Sequence, residues 1–264
     1  MFLAVHDAKN PIENERPRVS LLRLPTSVDG INWKPLTIDW SAPQGMSSDL
    51  ESIARIPGTN SFLLVESGEM IPNLPRFRRV FLLEMRNQQA VLSGFTELPA
   101  TVKNVEGSTV VRLGNRLIFL FAERAGSQPV AEVFWTELQL QPFKFGSFRK
   151  TYFKPSSFTG QNKRPVSAIE TDSQGQIYIA SAYDPDDDNG PFASVIWRAG
   201  RVYTDSRNRI RVIFPSKPQK LATLDGLKVE SLAIREAKAG SVELFAGTDD
   251  ENYGGALRMI PLKP

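Results

Sequence analysis

The sequence predicts an all-β protein whose fold is a β-propeller of five blades. The first observation behind this prediction is a segment that recurs along the chain. Each copy opens with a Val/Leu-Glu-Ser/Gly start, continues as an apolar strand and a polar turn, and closes with a second apolar strand that ends in charged or hydroxyl side chains. The copies occupy residues 49–69, 104–124, 165–183 and 228–255, the third of them without the glutamate.

The spacing of these copies is the second observation. They begin about 55 to 63 residues apart, and each contains about four short strands with almost no helical periodicity. Strand repeats of this length are typical of propeller blades, which stack face to face because one blade cannot bury both of its faces alone. The closing strand of the repeat occurs five times, at residues 2–7, 62–67, 119–124, 178–183 and 244–249.

The remaining strands follow in chain order from their alternation of apolar and polar residues. The first blade is completed by residues 18–24 and 33–40, the second by residues 79–85 and 90–98, and the third by residues 131–138 and 149–153. The fourth blade adds residues 193–199 and a polar hairpin over 201–214, and the fifth adds residues 255–261. We therefore expect one domain with blades at residues 1–48, 49–103, 104–164, 165–227 and 228–264.

The two ends of the chain are incomplete as blades, since the first lacks an opening strand and the fifth lacks a fourth strand. We expect the ring to close across the termini. Closure comes either from strand exchange in a shared blade or from residues upstream of Met1 that belong to the native protein. A six-bladed ring is the alternative, if the two terminal segments form separate blades.

Composition excludes several classes of function. The 264 residues include no cysteine, which excludes disulfides, a thiol nucleophile and a thiolate metal site. The single histidine, His6, excludes any site that needs two imidazoles. Lys and Arg number 32 against 29 acidic residues, a surplus too small to predict a nucleic-acid partner.

Hydropathy and the first residues bear on location. The apolar runs are far shorter than the ~18 residues of a membrane-spanning helix, so we expect a soluble monomer with no membrane partner. Residues 1–10 lack the basic and long apolar regions of a signal peptide. The cytoplasm is the default compartment, and the periplasm or the exterior applies if the start is truncated.

Polar side chains are predicted to gather at one mouth of the ring. In each blade the first two strands form an antiparallel hairpin, so the start of the first strand lies beside the end of the second. The expected neighbours are Glu51 with Glu66 and Ser67, Glu106 with Glu123 and Arg124, Glu230 with Thr248 and Asp249, and His6 with Asp7 closing the circle.

Carboxylates that meet at one opening repel each other, and a bound cation relieves the repulsion. Oxygen ligands without cysteine or further histidine suit Ca²⁺ or Mg²⁺. The alternative is that each glutamate caps backbone N–H groups and fixes neighbouring blades. The candidate metal ligands are Glu51, Glu66, Glu106, Glu230 and Asp249.

Two other charged stretches have both a functional and a structural interpretation. Asp184, Asp186 and Asp188 alternate as in a calcium loop, but Asn189 stands where such loops have glycine, and a solvated acidic turn is the alternative. Basic residues crowd the outer strands of the fourth blade, where they either protect a sheet edge or face an anionic partner. These are Arg198, Arg201, Arg207, Arg209, Arg211, Lys217 and Lys220.

The phrases DLESIARIPGTNSFLLVES, NVEGSTVVRLGNRLIFLFAE and VESLAI…LFAGTDDENYGG resemble the repeats of SdiA-regulated and esterase-like-phytase propellers, and more distantly those of calcium-dependent β-propeller phytases. The resemblance covers four of the five blades. It implies carboxylate-bound calcium and a phosphate ester at the mouth, with Glu51, Glu106 and Glu230 at the glutamate of the repeat. Ser167 departs from the pattern, and no dense set of Lys and Arg faces several phosphates, so phytate is not the expected substrate.

The predicted function is to bind a divalent cation at the acidic mouth and to hydrolyse or hold a small anionic ester or phosphoester. The candidate catalytic residues are Glu106, Glu123, Arg124 and His6, with Arg124 stabilising developing negative charge. His6 beside Asp7 is either a general base or a hydrogen-bonded pair at a strand end. The alternative function is a non-catalytic scaffold whose rim loops bind a protein partner.

Overall fold

Five antiparallel sheets make up the computed structural model, which describes residues 1–9, 17–24, 32–40, 45–70, 72, 76–87, 89–125, 128–158, 160–236 and 241–261. The first sheet contains β1 (Phe2–Val5), β2 (Val19–Arg23) and β3 (Asn32–Pro35); the second β4 (Leu50–Arg55), β5 (Ser61–Glu66), β6 (Arg79–Arg86) and β7 (Gln89–Glu97); the third β8 (Val105–Leu113), β9 (Arg116–Glu123), β10 (Ala131–Leu140), β11 (Phe143–Phe145) and β12 (Arg149–Phe153). The fourth contains β13 (Lys163–Thr171), β14 (Gln176–Tyr183), β15 (Ala193–Thr204), β16 (Ile210–Ile213) and β17 (Gln219–Asp225), and the fifth β18 (Val229–Glu236), β19 (Val242–Thr248) and β20 (Leu257–Ile260).

These sheets are the five blades of a β-propeller, and the predicted fold class is confirmed. One 3-10 turn, Glu251–Tyr253, is the helical element among the described residues. No helix in that part of the chain is long and apolar enough to cross a membrane. The first and fifth sheets have three strands each, as the short terminal units predict, while the closure of the ring stays a prediction.

The strand predicted over residues 33–40 is too long, and the strands β11 and β17 were not predicted. The first of these strands ends at Pro35, and the amide of Leu36 makes the last hydrogen bond to β2, to the carbonyl oxygen of Val19 at 2.9 Å. The outer strand β17 was missed because its residues are polar or half-exposed and show no clear alternation. The long strand β15 pairs with β17 through its first half and with β16 through its second half.

The chain divides into two compact units. The first unit comprises residues 1–105 and 139–145, and its core joins the first two sheets. Val19 of β2 packs in one cluster with Leu64 of β5 and with Phe81 and Leu83 of β6. The amide of Asp49 donates to the carbonyl oxygen of Ala8 at 3.1 Å, which fixes the chain before β4 against the segment that follows β1.

The second unit comprises residues 106–138 and 146–264 and has two apolar clusters. The larger cluster contains Trp135, Phe153 and Trp197. The smaller cluster contains Tyr178 together with Val229 of β18 and Leu244 of β19. Gly107 lets β8 approach β13 closely, because a Cβ there would lie 3.0 Å from the amide nitrogen of Ile169. This approach places the first strands of the third and fourth blades side by side.

Candidate functional site

The predicted pairing of strand ends is observed inside both units. In the first unit Leu50 lies opposite Glu66, and the amide of Ser67 donates to the carbonyl oxygen of Asp49 at 2.9 Å. In the second unit Arg124 Nε lies 3.3 Å from Glu106 Oε1. Val229 lies opposite Thr248, so Glu230 and Asp249 follow at the same end of the fifth blade.

Three carboxylates of the first unit converge. Asp7 follows β1, Asp49 precedes β4 and Glu51 lies within β4, and one oxygen from each lies within 4.8 Å of the other two. Of the metal ligands predicted from the sequence, this group contains Glu51. Asp7 was expected only as a neighbour of the mouth, and Asp49 was not predicted as a ligand.

Asp49 is the most constrained member of this group. Its side chain is buried, and the Ser67 hydroxyl donates a short hydrogen bond to Oδ2. Its other oxygen, Oδ1, is buried and accepts no hydrogen bond from the described residues. A buried carboxylate oxygen without a donor or a cation is costly, so Oδ1 is the atom of this cluster that most needs a positive partner.

The backbone around the cluster is irregular. Asp49 has φ of 53°, a left-handed conformation that is uncommon outside glycine. The pairing of β4 with β5 shifts register between Leu50 and Ser52, which places Glu51 in a β-bulge. Bulges and strained residues re-aim side chains near functional sites, and here they turn Asp49 and Glu51 toward Asp7.

The ammonium group of Lys9 lies close enough to Asp7 and Asp49 of this cluster for their charges to act on it. Burial alone would lower the pKa of Lys9, but the charges of Asp49 and Asp7 and a hydrogen bond to Glu69 raise it above its ordinary value. Lys9 Nζ lies 3.2 Å from Glu69 Oε2, and both side chains are well exposed. Lys9 is therefore an exposed positive charge that is coupled to Asp7 and Asp49 and paired with Glu69.

Glu66, a predicted metal ligand, is held by protein groups. Its side chain is fully buried, and Arg79 donates to Oε1 through Nη2 at 2.5 Å and to Oε2 through Nε at 2.9 Å. The amides of Ser48 and Arg79 also donate to it, at 2.9 and 2.8 Å. Burial raises the pKa of Glu66 and these donors partly offset the rise. The arrangement fits the alternative interpretation, in which the glutamate caps backbone groups and holds the sheet.

His6, a predicted catalytic residue, is also in the first unit. Its Nε2 forms a 2.7 Å hydrogen bond with the hydroxyl of Ser20, and its ring lies 6.0 Å from that of Trp33. Burial lowers the pKa of His6, so the neutral form prevails at pH 7. The Ser20 side chain is almost fully buried, so this pair has the geometry of a structural hydrogen bond in a strand.

Charged side chains of the second unit form a connected network. Arg164, at the start of β13, contacts carboxylates of three blades: Nη1 lies 3.8 Å from Glu106 Oε2 and 3.3 Å from Glu230 Oε1, and Nη2 lies 2.5 Å from Asp184 Oδ2. Lys228 Nζ lies 3.7 Å from both Asp184 and Glu230. It also donates a short hydrogen bond to Glu251.

Glu230 has the most perturbed carboxyl group of this network. Burial raises its pKa to about 8, the negative charges of Glu106 and Asp249 add to the rise, and Arg164 and Lys228 oppose it. A register shift between Val229 and Ser231 places Glu230 in a β-bulge, as it places Glu51 in the first unit. Burial and the neighbouring acids therefore favour the protonated form of Glu230 more than they would for an exposed carboxyl group, while the two cations favour the ionised form.

The other predicted residues of the second unit occupy defined positions. Glu106 and Glu123 are buried at the ends of β8 and β9. Asp249 is exposed beyond β19. Asp184 belonged to the predicted calcium loop, but one of its oxygens binds Arg164 and the other accepts the amide of Asp186 at 3.0 Å, so the acidic-turn interpretation describes it better.

Sequence reasoning missed Asp49, Arg164 and Lys228. A signal for two of them was present, because Asp49 and Lys228 stand two positions before the glutamate of the repeat, where Asn104 stands in the third blade. Alternating side chains of a strand point to the same face at this spacing, so a charge there shares the surroundings of the glutamate. Arg164 has no such signal, because its blade lacks the glutamate.

Comparisons with known proteins give remote similarities of fold. No family model matches the chain, and no curated protein matches it. Among solved structures, the periplasmic gluconolactonase PpgL of Pseudomonas aeruginosa is 12% identical with a TM-score of 0.45 and covers 99% of this chain and 82% of its own. A GH43 endo-arabinanase from Bacillus licheniformis is 9% identical with a TM-score of 0.33, covering 79% and 91%.

These similarities are too remote to transfer an activity or a site to this chain. The β-propeller part of the predicted resemblance is confirmed by the sheets themselves. The resemblance to the SdiA-regulated and esterase-like-phytase propellers has no matching family model to support it.

Proposed function

We propose that the first unit binds a divalent cation, Ca²⁺ or Mg²⁺, through Asp7, Asp49 and Glu51. The observation that carries this proposal is the buried Oδ1 of Asp49, which has no hydrogen-bond donor in the described part of the chain and lies beside two further carboxylates. The donors are all oxygen atoms, which suits these two hard cations. Each residue would supply one oxygen, and waters or a ligand would complete the coordination.

The bound cation would serve to hold a small anionic ester or phosphoester and to promote its hydrolysis. A divalent cation polarises an ester or phosphoryl oxygen and lowers the pKa of a bound water. In the protein, the Ser67 hydroxyl orients Asp49, and the bulge in β4 aims Glu51. The exposed ammonium of Lys9 would attract the negative charge of the ligand to this side of the cluster.

Thermal unfolding with a chelator, and then with added Ca²⁺ or Mg²⁺, tests the proposal. A ligand at 100 times its Kd stabilises the folded state by about 2.7 kcal/mol. We expect this stabilisation in the wild type and in Glu97→Gln, an exposed control at the end of β7. Asp49→Asn should lose it. Absence of any shift in the wild type would reject the metal site.

The alternative function as a binding scaffold has one observation in its favour. Large apolar side chains are exposed on outer strands, with Trp33 on β3 and Phe95 on β7 in the first unit, and Tyr152 on β12 and Met259 on β20 in the second. Exposed apolar groups on strand edges suit a protein partner. If neither cation stabilises the protein, these strands become the surfaces to test.

A further inference from the structure

The outer strands of the fourth blade carry a local excess of positive charge. Residues 198–220 contain seven Lys and Arg side chains and one acid, Asp205, so this stretch has a net charge of +6. The whole chain has a net charge of +3, so the remaining residues together have a net charge of −3. The basic side chains are therefore concentrated on one part of a chain whose remainder is acidic.

Strands β15 and β16 place several of these side chains on one face. Opposite residues of an antiparallel pair lie on the same face with Cβ atoms about 4.5–5.5 Å apart, and alternate residues of each strand share that face. Arg201 lies opposite Ile213, and Tyr203 lies opposite Arg211. The arginine face, as we call this surface, consists of Arg201, Tyr203, Asp205, Arg209, Arg211 and Ile213.

The reverse side of these two strands belongs to the core. Val202 of β15 and Ile210 and Val212 of β16 are part of the larger apolar cluster of the second unit. Strand β16 pairs with β15 and with no other strand among the described residues. On the arginine face Ile213 is 49% exposed, and Arg201 is exposed as well. The arginine face is therefore held in place from behind and is open to solvent.

Asp205 shows how the arginine face binds a carboxylate. Its Oδ2 accepts hydrogen bonds from Arg209 Nε at 3.0 Å and from Arg211 Nε at 2.9 Å. Its Oδ1 accepts the amide of Arg209 at 2.9 Å. This amide and the two guanidinium groups hold the pKa of Asp205 well below its ordinary value, so the carboxylate is ionised. The planar fork of a guanidinium group matches the geometry of a carboxylate.

The other basic side chains of this stretch have more charge than the local acid can neutralise. Asp205 is already shared by Arg209 and Arg211. Four further basic residues are exposed and form no ion pair with an acid in the described part of the chain: Arg201, Arg207, Lys217 and Lys220. The arginine face and its surroundings therefore have positive charge available for an anionic partner.

We propose that the arginine face binds a short acidic segment of a partner protein. Carboxylates of the segment pair with Arg201 and Arg211, as Asp205 does with its own arginines. An apolar side chain between these carboxylates packs on Ile213 and Tyr203. Four residue pairs at about 3.4 Å per residue make the face about 14 Å long, the length of four or five extended residues.

The charge of the rest of the chain favours a short partner over an extended polyanion. A nucleic-acid duplex or an anionic membrane is larger than the arginine face, so it would also approach the residues whose net charge is −3. A segment as short as the face avoids that repulsion. Protection of a sheet edge accounts for the basic side chains but not for the exposed Ile213 among them. An apolar side chain on an outer strand favours the very pairing that such charges prevent.

Fluorescence anisotropy of a labelled peptide, titrated with the full chain, tests the proposal. The probe is a short peptide in which glutamate and valine alternate, and a glutamine–valine peptide is its uncharged counterpart. Arg201→Gln should weaken binding of the probe about tenfold or more, because it removes hydrogen bonds between charged groups, and Ile213→Ser should weaken it as well. The control Arg235→Gln removes an exposed arginine of the fifth blade and the same net charge, and should bind as the wild type does.

The outcome is independent of the cation site. The arginine face shares no residue with the cluster of Asp7, Asp49 and Glu51, so a chelator should leave peptide binding unchanged. Absence of binding to the wild type, equal affinity for the glutamine–valine peptide, or equal losses in the Arg201 and Arg235 variants would overturn the proposal. Tighter binding of phosphatidylglycerol vesicles or of a DNA duplex through Arg201 would also overturn it, as would a dimer of this chain that Arg201→Gln dissociates.

Discussion

Removal of the Arg164 guanidinium is the most informative perturbation of the charged network. The substitution Arg164→Met keeps most of the aliphatic volume and deletes a cation that contacts Glu106, Asp184 and Glu230. The first two of these carboxylates are at most 10% exposed, so water replaces the lost contacts poorly. Breaking a buried ion pair by removal of one partner typically costs about 3–5 kcal/mol.

The expected loss is measurable by thermal or urea unfolding at pH 7. At about 2–4 °C per kcal/mol for a chain of this size, the midpoint of thermal unfolding should fall by roughly 10 °C. Acidification should restore part of the loss, because protonated carboxyls no longer need the cation. The control is Arg235→Met, which breaks an exposed pair with Glu243 and should cost no more than about 1 kcal/mol.

The reasoning about the network would be refuted by a loss at pH 7 as small as that of the control. Such a result would mean that solvent screens the three carboxylates despite their burial. A large loss that did not diminish at low pH would point instead to packing of the arginine stem, since repulsion between ionised carboxylates is the part that acid removes.

Two further predictions concern pH and backbone packing. The folded-state pKa of Glu230 is raised from 4.5 to about 8, so between these pH values the folded protein binds more protons than the unfolded chain and its stability falls as the pH rises. Urea unfolding from pH 5 to 8 should show this fall, at up to about 1.4 kcal/mol per pH unit, and Glu230→Gln should reduce it. An unchanged slope in the variant would assign the effect to other groups. Gly107→Ala places a Cβ 3.0 Å from the amide nitrogen of Ile169 and should cost about 1–3 kcal/mol in unfolding free energy. In the control Gly94→Ala the new Cβ lies 3.6 Å from the nearest atom of the Phe143 side chain, an ordinary contact, so the loss should be smaller. Equal losses would show that β8 and β13 can separate.

The blades were predictable because their strands repeat the same local pattern. Alternation of apolar and polar residues depends on the period of a strand alone, so β6, β10 and β12 were found close to their observed bounds. Strands whose side chains are largely exposed were harder to predict, because they lack the alternation of apolar and polar residues. β17 gave no pattern because its position against β15 is set by pairing, and its side chains remain largely exposed.

The neighbours of the repeat glutamates were predictable for a similar reason. A tight antiparallel hairpin brings the start of one strand to the end of the next, whatever the side chains are. The contact of Arg124 with Glu106 and the position of Asp249 beside Glu230 follow from this rule. The pattern also contained Asp49 and Lys228, two positions before the glutamates, although their roles were not recognised.

The sequence by itself determined the class of fold, the five repeats and the set of acids at the strand ends, because all of these depend on local periodicity. Tertiary structure alone decided how each acid is used. Burial and packing determine whether a carboxylate meets an arginine, as Glu66 meets Arg79, or has no donor among the described residues, as is the case for Oδ1 of Asp49. They also raise the pKa of Glu230, since its burial and its contact with Arg164 arise only when separate blades come together.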